Sequence, residues 1–302
     1  MLFSVVIPTF NRADFLTRTL ASVWAQSCRD FEVIVVDDGS TDGTRAYLAS
    51  LGDRVRVIHQ LQQGPGAARN AGVSVACGDY IAFLDSDDLW FPWTLATFAC
   101  IIADTDPSFI AGSVLHFTDD PEFGRYREGA RQFRLFSDYL DSAASAIAVG
   151  SGTAAFKRSV LLESGGFTHL PINAEDHDLA LRVGKFPRFV WLQSPLTVGW
   201  RRHAGSVTAI VERGIAGTRH LISQERAGRY PGGDARAAAR REIITRHVRP
   251  ISFECLREAH FRAARDFYVE TLRWHWAARR WRYLGGFPLA WAWAAVRGRG
   301  QS

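Results

Sequence analysis

Asp85-Ser86-Asp87-Asp88 places three carboxylates within four residues, directly after the apolar run Tyr80 to Leu84. Carboxylates crowded at a strand end repel one another unless a cation or solvent neutralises them. A hard divalent cation that keeps several waters and bridges phosphate oxygens fits such a group. A lone acidic cluster is more often a solvated turn before a helix, but this one has company. Asp37-Asp38-Gly39-Ser40-Thr41-Asp42-Gly43 follows the run Phe31 to Val36. A carboxylate there can accept hydrogen bonds from a base or a ribose, and the glycines permit a tight turn. Capping of a helix at Thr44 accounts for Ser40, Thr41 or Asp42, and leaves Asp37 and Asp38 unexplained. Gly64-Pro65-Gly66-Ala67-Ala68-Arg69-Asn70 sets small residues where a backbone must approach something closely, with an Arg one turn later. Glu175-Asp176-His177-Asp178 opens a helix, where the macrodipole favours carboxylates. The sharper reading of that group is a general base.

The elements that must position these groups alternate along the chain. Phe3 to Ile7, Phe31 to Val36, Val55 to Ile58, Tyr80 to Leu84 and Phe109 to Phe117 read as strands, with helical spacing between them, as in Leu16, Leu20, Val23 and Trp24. Strands apolar on both faces and separated by helices predict a doubly wound, mostly parallel α/β sheet. Ligands bind such sheets beyond the carboxyl ends of the strands, and the polar clusters lie there. Residues 119–150 read as a loop with a helix near Phe136 to Ala143, covering the site. Strand patterns resume at Thr153 to Phe156 and Arg188 to Val198, with a helix over Glu175 to Val183 between them. After about Ile210 the pattern turns helical and Arg-rich.

Charge divides the 302 residues unevenly. Residues 1–210 hold 18 Lys+Arg against 23 Asp+Glu, and residues 211–302 hold 18 Arg against 8 Asp+Glu, a balance of +10. The tail also carries Trp274, Trp276, Trp281, Trp291 and Trp293, half of all tryptophans, and Phe267, Trp274 and Trp281 repeat at seven-residue spacing. One aromatic helix face with Arg beside it suits an interfacial membrane helix; packing on the preceding domain or a second subunit is the plainer alternative. Nucleic acid is not expected, because the front half is acidic. Cys28, Cys77, Cys100 and Cys255 form no Cys-x-x-Cys pair, so neither a zinc site nor a disulfide framework is expected. The chain enters an apolar strand without a charged leader and has no stretch of about 18 uncharged apolar residues. The expected location is the cytoplasm, or the cytoplasmic face of a membrane.

Taken in order, the motifs resemble those of the family-2 glycosyltransferases. The matching stretches are Ser4 to Arg12, Phe31 to Asp42, Gly66 to Gly72, Gly78 to Trp90, Gly165 to Phe167, Glu175 to Arg182 and Trp200 to His203. The resemblance implies a glycosyltransferase A fold: a Rossmann-like nucleotide-binding half over residues 1–118, an acceptor half over 119–210, and a helical extension over 211–302. It implies an inverting transfer from a nucleotide-sugar donor, UDP-linked, to a glycan, lipid-linked or other hydroxyl acceptor, with Mn2+ or Mg2+. By position, Pro8, Thr9, Asn11, Asp38, Arg69, Asp85 and Ser86 would bind the donor. Asp85 and Asp87 would form the Asp-x-Asp pair, with Asp88 next in line and His203 approaching the metal from a closing loop. Asp176 would be the catalytic base and Glu175 the second candidate. A sugar nucleotidyltransferase would want a glycine-rich loop after strand one, which Pro8 to Arg12 lacks. A non-catalytic nucleotide-sugar or glycan-binding module is the remaining alternative.

Overall fold

The computed structural model describes residues 1–118, 123–147, 149–203 and 210–298. They form two compact units: Met1–Tyr139, Ala148–Pro171 and Phe186–Ala204 make the first, and Leu140–Ile147, Ile172–Lys185 and Gly205–Ser302 the second. These units do not follow the sequence boundaries at 118 and 210, because the helix that opens with Glu175 clusters with the C-terminal helices.

The first unit holds every strand among the described residues. β1 (Phe3–Thr9), β2 (Phe31–Asp37), β3 (Arg56–His59) and β4 (Tyr80–Phe83) run parallel in one sheet, with α1 (Ala13–Trp24), α2 (Thr44–Ser50) and α3 (Pro65–Val75) between them. All seven residues of β1 are buried, as the apolar run requires of a central parallel strand. Pro8 stands beyond the last β1–β4 pair, Val6 with Phe83, so the N–H it lacks costs no ladder bond on that side. β5 (Leu89–Trp90), α4 (Thr94–Thr105), β6 (Phe109–Ala111), β7 (Val114–Phe117), β8 (Gln132–Phe136), β9 (Ala154–Lys157), α5 (Arg158–Glu163), β10 (Phe189–Ser194) and β11 (Val198–Arg201) complete the unit. The eight-stranded sheet has the order β3-β2-β1-β4-β9-β6-β10-β8, and β5-β11-β7 form a small second sheet. β9 is antiparallel to both neighbours, so the sheet is mixed.

Three sequence expectations need correction. The run Phe109 to Phe117 is two strands in different sheets. At the break, Gly112 N–H donates to the Thr153 carbonyl at 2.8 Å and Ser113 N–H to Thr197 Oγ1 at 3.0 Å; a Cβ on Gly112 would lie 2.5 Å from that hydroxyl. The run Arg188 to Val198 divides likewise at the cis Ser194–Pro195 bond. The helix expected over Phe136 to Ala143 is the end of β8 followed by a 3-10 helix over Leu140–Ser145. Residues 119–122 and 148 of the expected covering loop lie outside the described residues, as do 204–209 at the expected domain boundary.

The second unit is helical: that 3-10 turn, α6 (Glu175–Arg182), α7 (Val211–Arg226), α8 (Ala237–Arg257), α9 (Phe261–Ala277) and α10 (Trp281–Gly298). Asp178 ties three segments together, accepting from Arg182 Nε at 2.8 Å, His220 Nε2 at 3.1 Å and the Tyr230 hydroxyl at 2.9 Å. Buried Glu225 does the same for Arg240 and Arg241 at 2.6 and 2.9 Å. The expected single aromatic face does not exist. The helix ends at Ala277, so Trp281 starts a new one, and Phe267 is buried while Trp281 is exposed.

Candidate functional site

In the sheet order β2, β1 and β4 are adjacent, and their register aligns Thr9 with Asp37 and Val6 with Phe83. The loops after these three strands therefore meet on one edge. Asn11, in the left-handed region at φ 52, joins the first two: its Oδ1 accepts from Thr41 N–H at 2.7 Å and its N–H donates to Ser40 Oγ at 2.9 Å. Asp37 is buried, accepting from Ser40 N–H at 2.9 Å and lying 2.9 Å from His59 Nδ1. Burial acts to raise its pKa, but those bonds prevail and lower it. Asp38, also buried, clamps the following loop through Gln60 Nε2 at 2.7 Å, Gln63 N–H at 2.9 Å and Gly64 N–H at 2.8 Å. Asp42 accepts from Thr44 N–H at 3.0 Å, the expected capping. Thr9 Oγ1 is buried with no hydrogen-bond partner among the described residues.

The acidic cluster divides its labour. Small residues bury the face of α3, which turns Arg69 to Asp85 Oδ1 at 2.6 Å and over the Phe167 ring at 5.2 Å. Ser86 is buried, and its carbonyl and that of Asp88 both accept from the Thr19 hydroxyl, at 2.9 and 2.8 Å. β11 pairs antiparallel with β5, Val198 opposite Trp90 and Gly199 opposite Leu89. That register carries Arg201 to the acidic loop, where its N–H donates to Asp88 Oδ1 at 2.9 Å and its Nε to the Asp87 carbonyl at 3.0 Å. Asp88 is 3% exposed; burial, with Asp85 and Asp87 beside it, raises its pKa well above the ordinary value. It anchors the small sheet. Two residues past Arg201, His203 Nε2 lies 2.8 Å from Asp87 Oδ2. Arg12 joins them, 3.7 Å from the same oxygen and 3.4 Å from His203 Nε2. Phe15 supports the group, its ring 5.0 Å from the His203 ring and 5.2 Å from the Arg201 guanidinium.

Pro8, Thr9, Asn11, Asp38, Arg69, Asp85, Ser86, Asp87, Asp88 and His203 thus belong to one unit and its strand-end edge. Arg12 and Arg201 share that edge, as does Gly152, where an added Cβ would lie 2.9 Å from Asp85 Oδ2, and the sequence reading gave none of the three a role. Among the described residues no group of three or more His, Cys, Asp or Glu is arranged to hold a metal by itself. Asp87 and His203 still bring one carboxylate and one imidazole to a common point, a donor set that a cation can share with diphosphate oxygens. The residues present fit such an ion.

Glu175 and Asp176 stand in the second unit, at the start of α6. Asp176 Oδ1 accepts from the His177 N–H at 2.7 Å and lies 2.8 Å from His177 Nδ1. Burial acts to raise its pKa, but the His177 charge and hydrogen bonds hold it down at about 2. Glu175 Oε2 accepts from Ala174 N–H at 3.2 Å. The His247 ring of α8 lies 4.6 Å from that of His177, a neighbour no spacing in the sequence suggested.

Residues 4–165 match the model described as Glycosyl transferase family 2. The match ends before Glu175. An uncharacterized glycosyltransferase of Nostoc is 40% identical over 123 residues, 39% of this chain and 37% of that protein. A PGL/p-HBAD biosynthesis glycosyltransferase of Mycobacterium bovis is 39% identical over 120 residues, 38% of this chain and 47% of that protein. The chain thus spans less than half the length of these curated relatives. S. aureus TarS 1-349, solved with UDP-GlcNAc, superposes with a TM-score of 0.65 at 20% identity, covering 90% of this chain and 82% of that one. Mannosyltransferase PcManGT from Pyrobaculum calidifontis, solved with GDP-Man and Mn2+, superposes with a TM-score of 0.57 at 20% identity, covering 98% and 86%. At that identity the likeness speaks for the fold.

Proposed function

Because the chain belongs to glycosyltransferase family 2, we propose that it moves a sugar from a UDP-linked donor to a glycan or lipid-linked hydroxyl, inverting the anomeric carbon. One observation carries the reading: Asp38, Asp85, Asp87 and His203 stand on a single strand-end edge, with Arg12, Arg69 and Arg201 among them. The solved neighbours that hold UDP-GlcNAc and GDP-Man support the donor class, and the Mn2+ in one of them supports the metal. In this reading residues 1–118 bind the donor, 119–210 serve the acceptor, and 211–302 form an extension.

Thr9, Asn11 and Asp38 meet the base and ribose end, and Arg69 fixes Asp85 against the ribose. Asp87 and His203 would hold Mn2+ or Mg2+. When bound, such an ion would supply positive charge against the charge that builds on the leaving nucleoside diphosphate. Arg12 and Arg201 add positive charge on the same edge. Asp176, with Glu175 as the second candidate, removes the proton of the acceptor hydroxyl as its oxygen attacks the anomeric carbon. The bond from that carbon to the diphosphate oxygen breaks, and its electron pair leaves with the diphosphate. A single displacement inverts the centre and needs no covalent enzyme intermediate.

The same reading places the protein on the cytoplasmic face of a membrane, supported by the exposed Trp276, Trp281 and Trp293 of its Arg-rich tail. No described helix is long and apolar enough to cross one.

A thermal-shift and turnover screen of UDP-, GDP- and TDP-sugars, with Mn2+ and with EDTA, tests the proposal. UDP-sugars with Mn2+ should stabilise the protein and turn over, and EDTA should abolish both effects. Asp87→Ala should weaken metal-dependent donor binding. Asp176→Asn should cost about 10²-fold or more in kcat while leaving donor affinity nearly unchanged. Full turnover in chelator would remove the metal role of Asp87. Donor binding without turnover on any acceptor would favour a binding module.

A further inference from the structure

His177 is unusual in making both of its Asp176 contacts to one oxygen, through its backbone N–H and its ring. Beneath it the His247 ring is tilted at 54°, and His247 Nε2 is buried with no hydrogen-bond partner among the described residues. Asp176 and His177 at the start of α6 thus have a second histidine, His247 of α8, packed on the His177 ring, and a lone general base would need neither histidine.

We propose that the base is the Asp176–His177 pair: His177 orients Asp176, and its ring takes up the proton that Asp176 removes from the acceptor. This rests on the assignment of Asp176 made above. In the step the acceptor O–H bond breaks and its oxygen keeps the electron pair for the new bond to carbon. The proton passes to Asp176 and crosses the 2.8 Å contact from Oδ1 to His177 Nδ1, the neutral ring having started with its own proton on Nε2. The pair goes from a charge of −1 to 0, and the carboxylate finishes ionised beside an imidazolium.

The surrounding charges agree. His177 is what holds the Asp176 carboxylate low, so proton uptake here belongs to the two groups together. His177 has the complementary perturbation: burial works to lower its pKa, and Asp176 outweighs it and raises it. On the same helix Glu175 acts in the direction of Asp176, and Arg246 of α8 acts against it. Burial, then His177, pushes His247 down to about 3. The seat under the His177 ring is therefore neutral and does not compete for the proton.

Two measurements test the pair on the intact protein. In the first, NMR titration follows the His177 ring, assigned by difference with His177→Asn. Its pKa should lie above the ordinary value of about 6.5 and should drop in Asp176→Asn, where burial is no longer outweighed. In the second, nucleoside diphosphate release is followed against pH with whichever of UDP-GlcNAc, UDP-glucose and GDP-mannose turns over fastest. The acid limb of kcat should move to lower pH in His177→Asn and His177→Gln, with kcat at pH 7 reduced about ten- to hundredfold and KM for donor unchanged. A His177 titration indifferent to Asp176→Asn overturns the pair. So does a wild-type limb in both His177 variants when Asp176→Asn is inactive, and Asp176 then stands alone as the base. An active Asp176→Asn overturns the base assignment itself, and the pair with it.

Discussion

Asp85 is held from two sides, by the Arg69 guanidinium and by the backbone of Gly152. A Cβ at Gly152 would lie 2.9 Å from Asp85 Oδ2 and 3.1 Å from its Cγ. Gly152→Ala should therefore displace the carboxylate and weaken UDP binding about tenfold by calorimetry, with Tm lowered by no more than about 5 °C. Unchanged affinity would take Asp85 out of the donor site. The acidic cluster was legible because like charges at a strand end demand a reason. Its division of labour was not. Asp88 reads like Asp87 in the sequence, yet it is sealed under a backbone N–H from a residue 113 positions away. Arg12 meets His203 across 191 positions. Partners that distant leave no periodic trace, and only the pairing of β11 with β5 brings them together.

Elements were legible where one physical cause sufficed. Buried parallel strands are continuous apolar runs, so β1, β2 and β4 stand within two residues of where the pattern puts them. The run Phe109 to Phe117 misled because a strand that changes sheets stays apolar throughout, and the bend depends on hydrogen bonds to Thr153 and Thr197. In the helical unit the heptad of Phe267, Trp274 and Trp281 misled because a turn between two helices leaves the spacing intact. There His275 of α9 is fully buried, its ring 4.3 Å from that of Tyr283. Burial, then Arg249 and Arg280, lowers its pKa to about 4. Its value in the unfolded chain is about 6.5. Between those values the unfolded chain binds more protons, so this contribution to stability is complete above about pH 6.5 and is lost as pH falls toward 4. His247 acts with the same sign. His275→Phe should flatten the acid side of the stability curve by up to about 1.4 kcal/mol per pH unit. Urea midpoints at pH 7, 5.5 and 4.5 measure it; equal acid sensitivity in variant and wild type would mean that His275 is not the group being protonated.

For the whole molecule, the uneven charge becomes an uneven surface. The strand-end edge gathers carboxylates, while the helical tail holds 18 Arg against 8 acidic residues. α9 and α10 each bury one face and expose another. Phe267, Tyr283 and Phe287 are inside, with Tyr268 stacked on Phe287 at 4.9 Å, while Val269, Trp276, Trp281, Leu289, Trp293 and Val296 are all at least 53% exposed. Trp276 and Trp281 touch edge to face, at 4.9 Å, across the turn between the helices. Exposed aromatics beside arginine suit the headgroup layer of an anionic membrane. Ring insertion and roughly 1 kcal/mol per Arg near the surface should add. Because Tyr283 and Phe287 are core residues, the test is substitution rather than truncation. Trp276→Ser, Trp281→Ser and Trp293→Ser together should lower co-sedimentation with phosphatidylserine vesicles at least tenfold and leave turnover on a soluble acceptor intact. Salt should weaken what remains, since the screening length falls from about 10 Å at 0.1 M to about 3 Å at 1 M. A triple variant that leaves vesicle binding unchanged removes the rings from the membrane reading. If wild type is a dimer by light scattering, ignores vesicles at low salt, and falls to monomer in the variant, this face is instead where two copies meet.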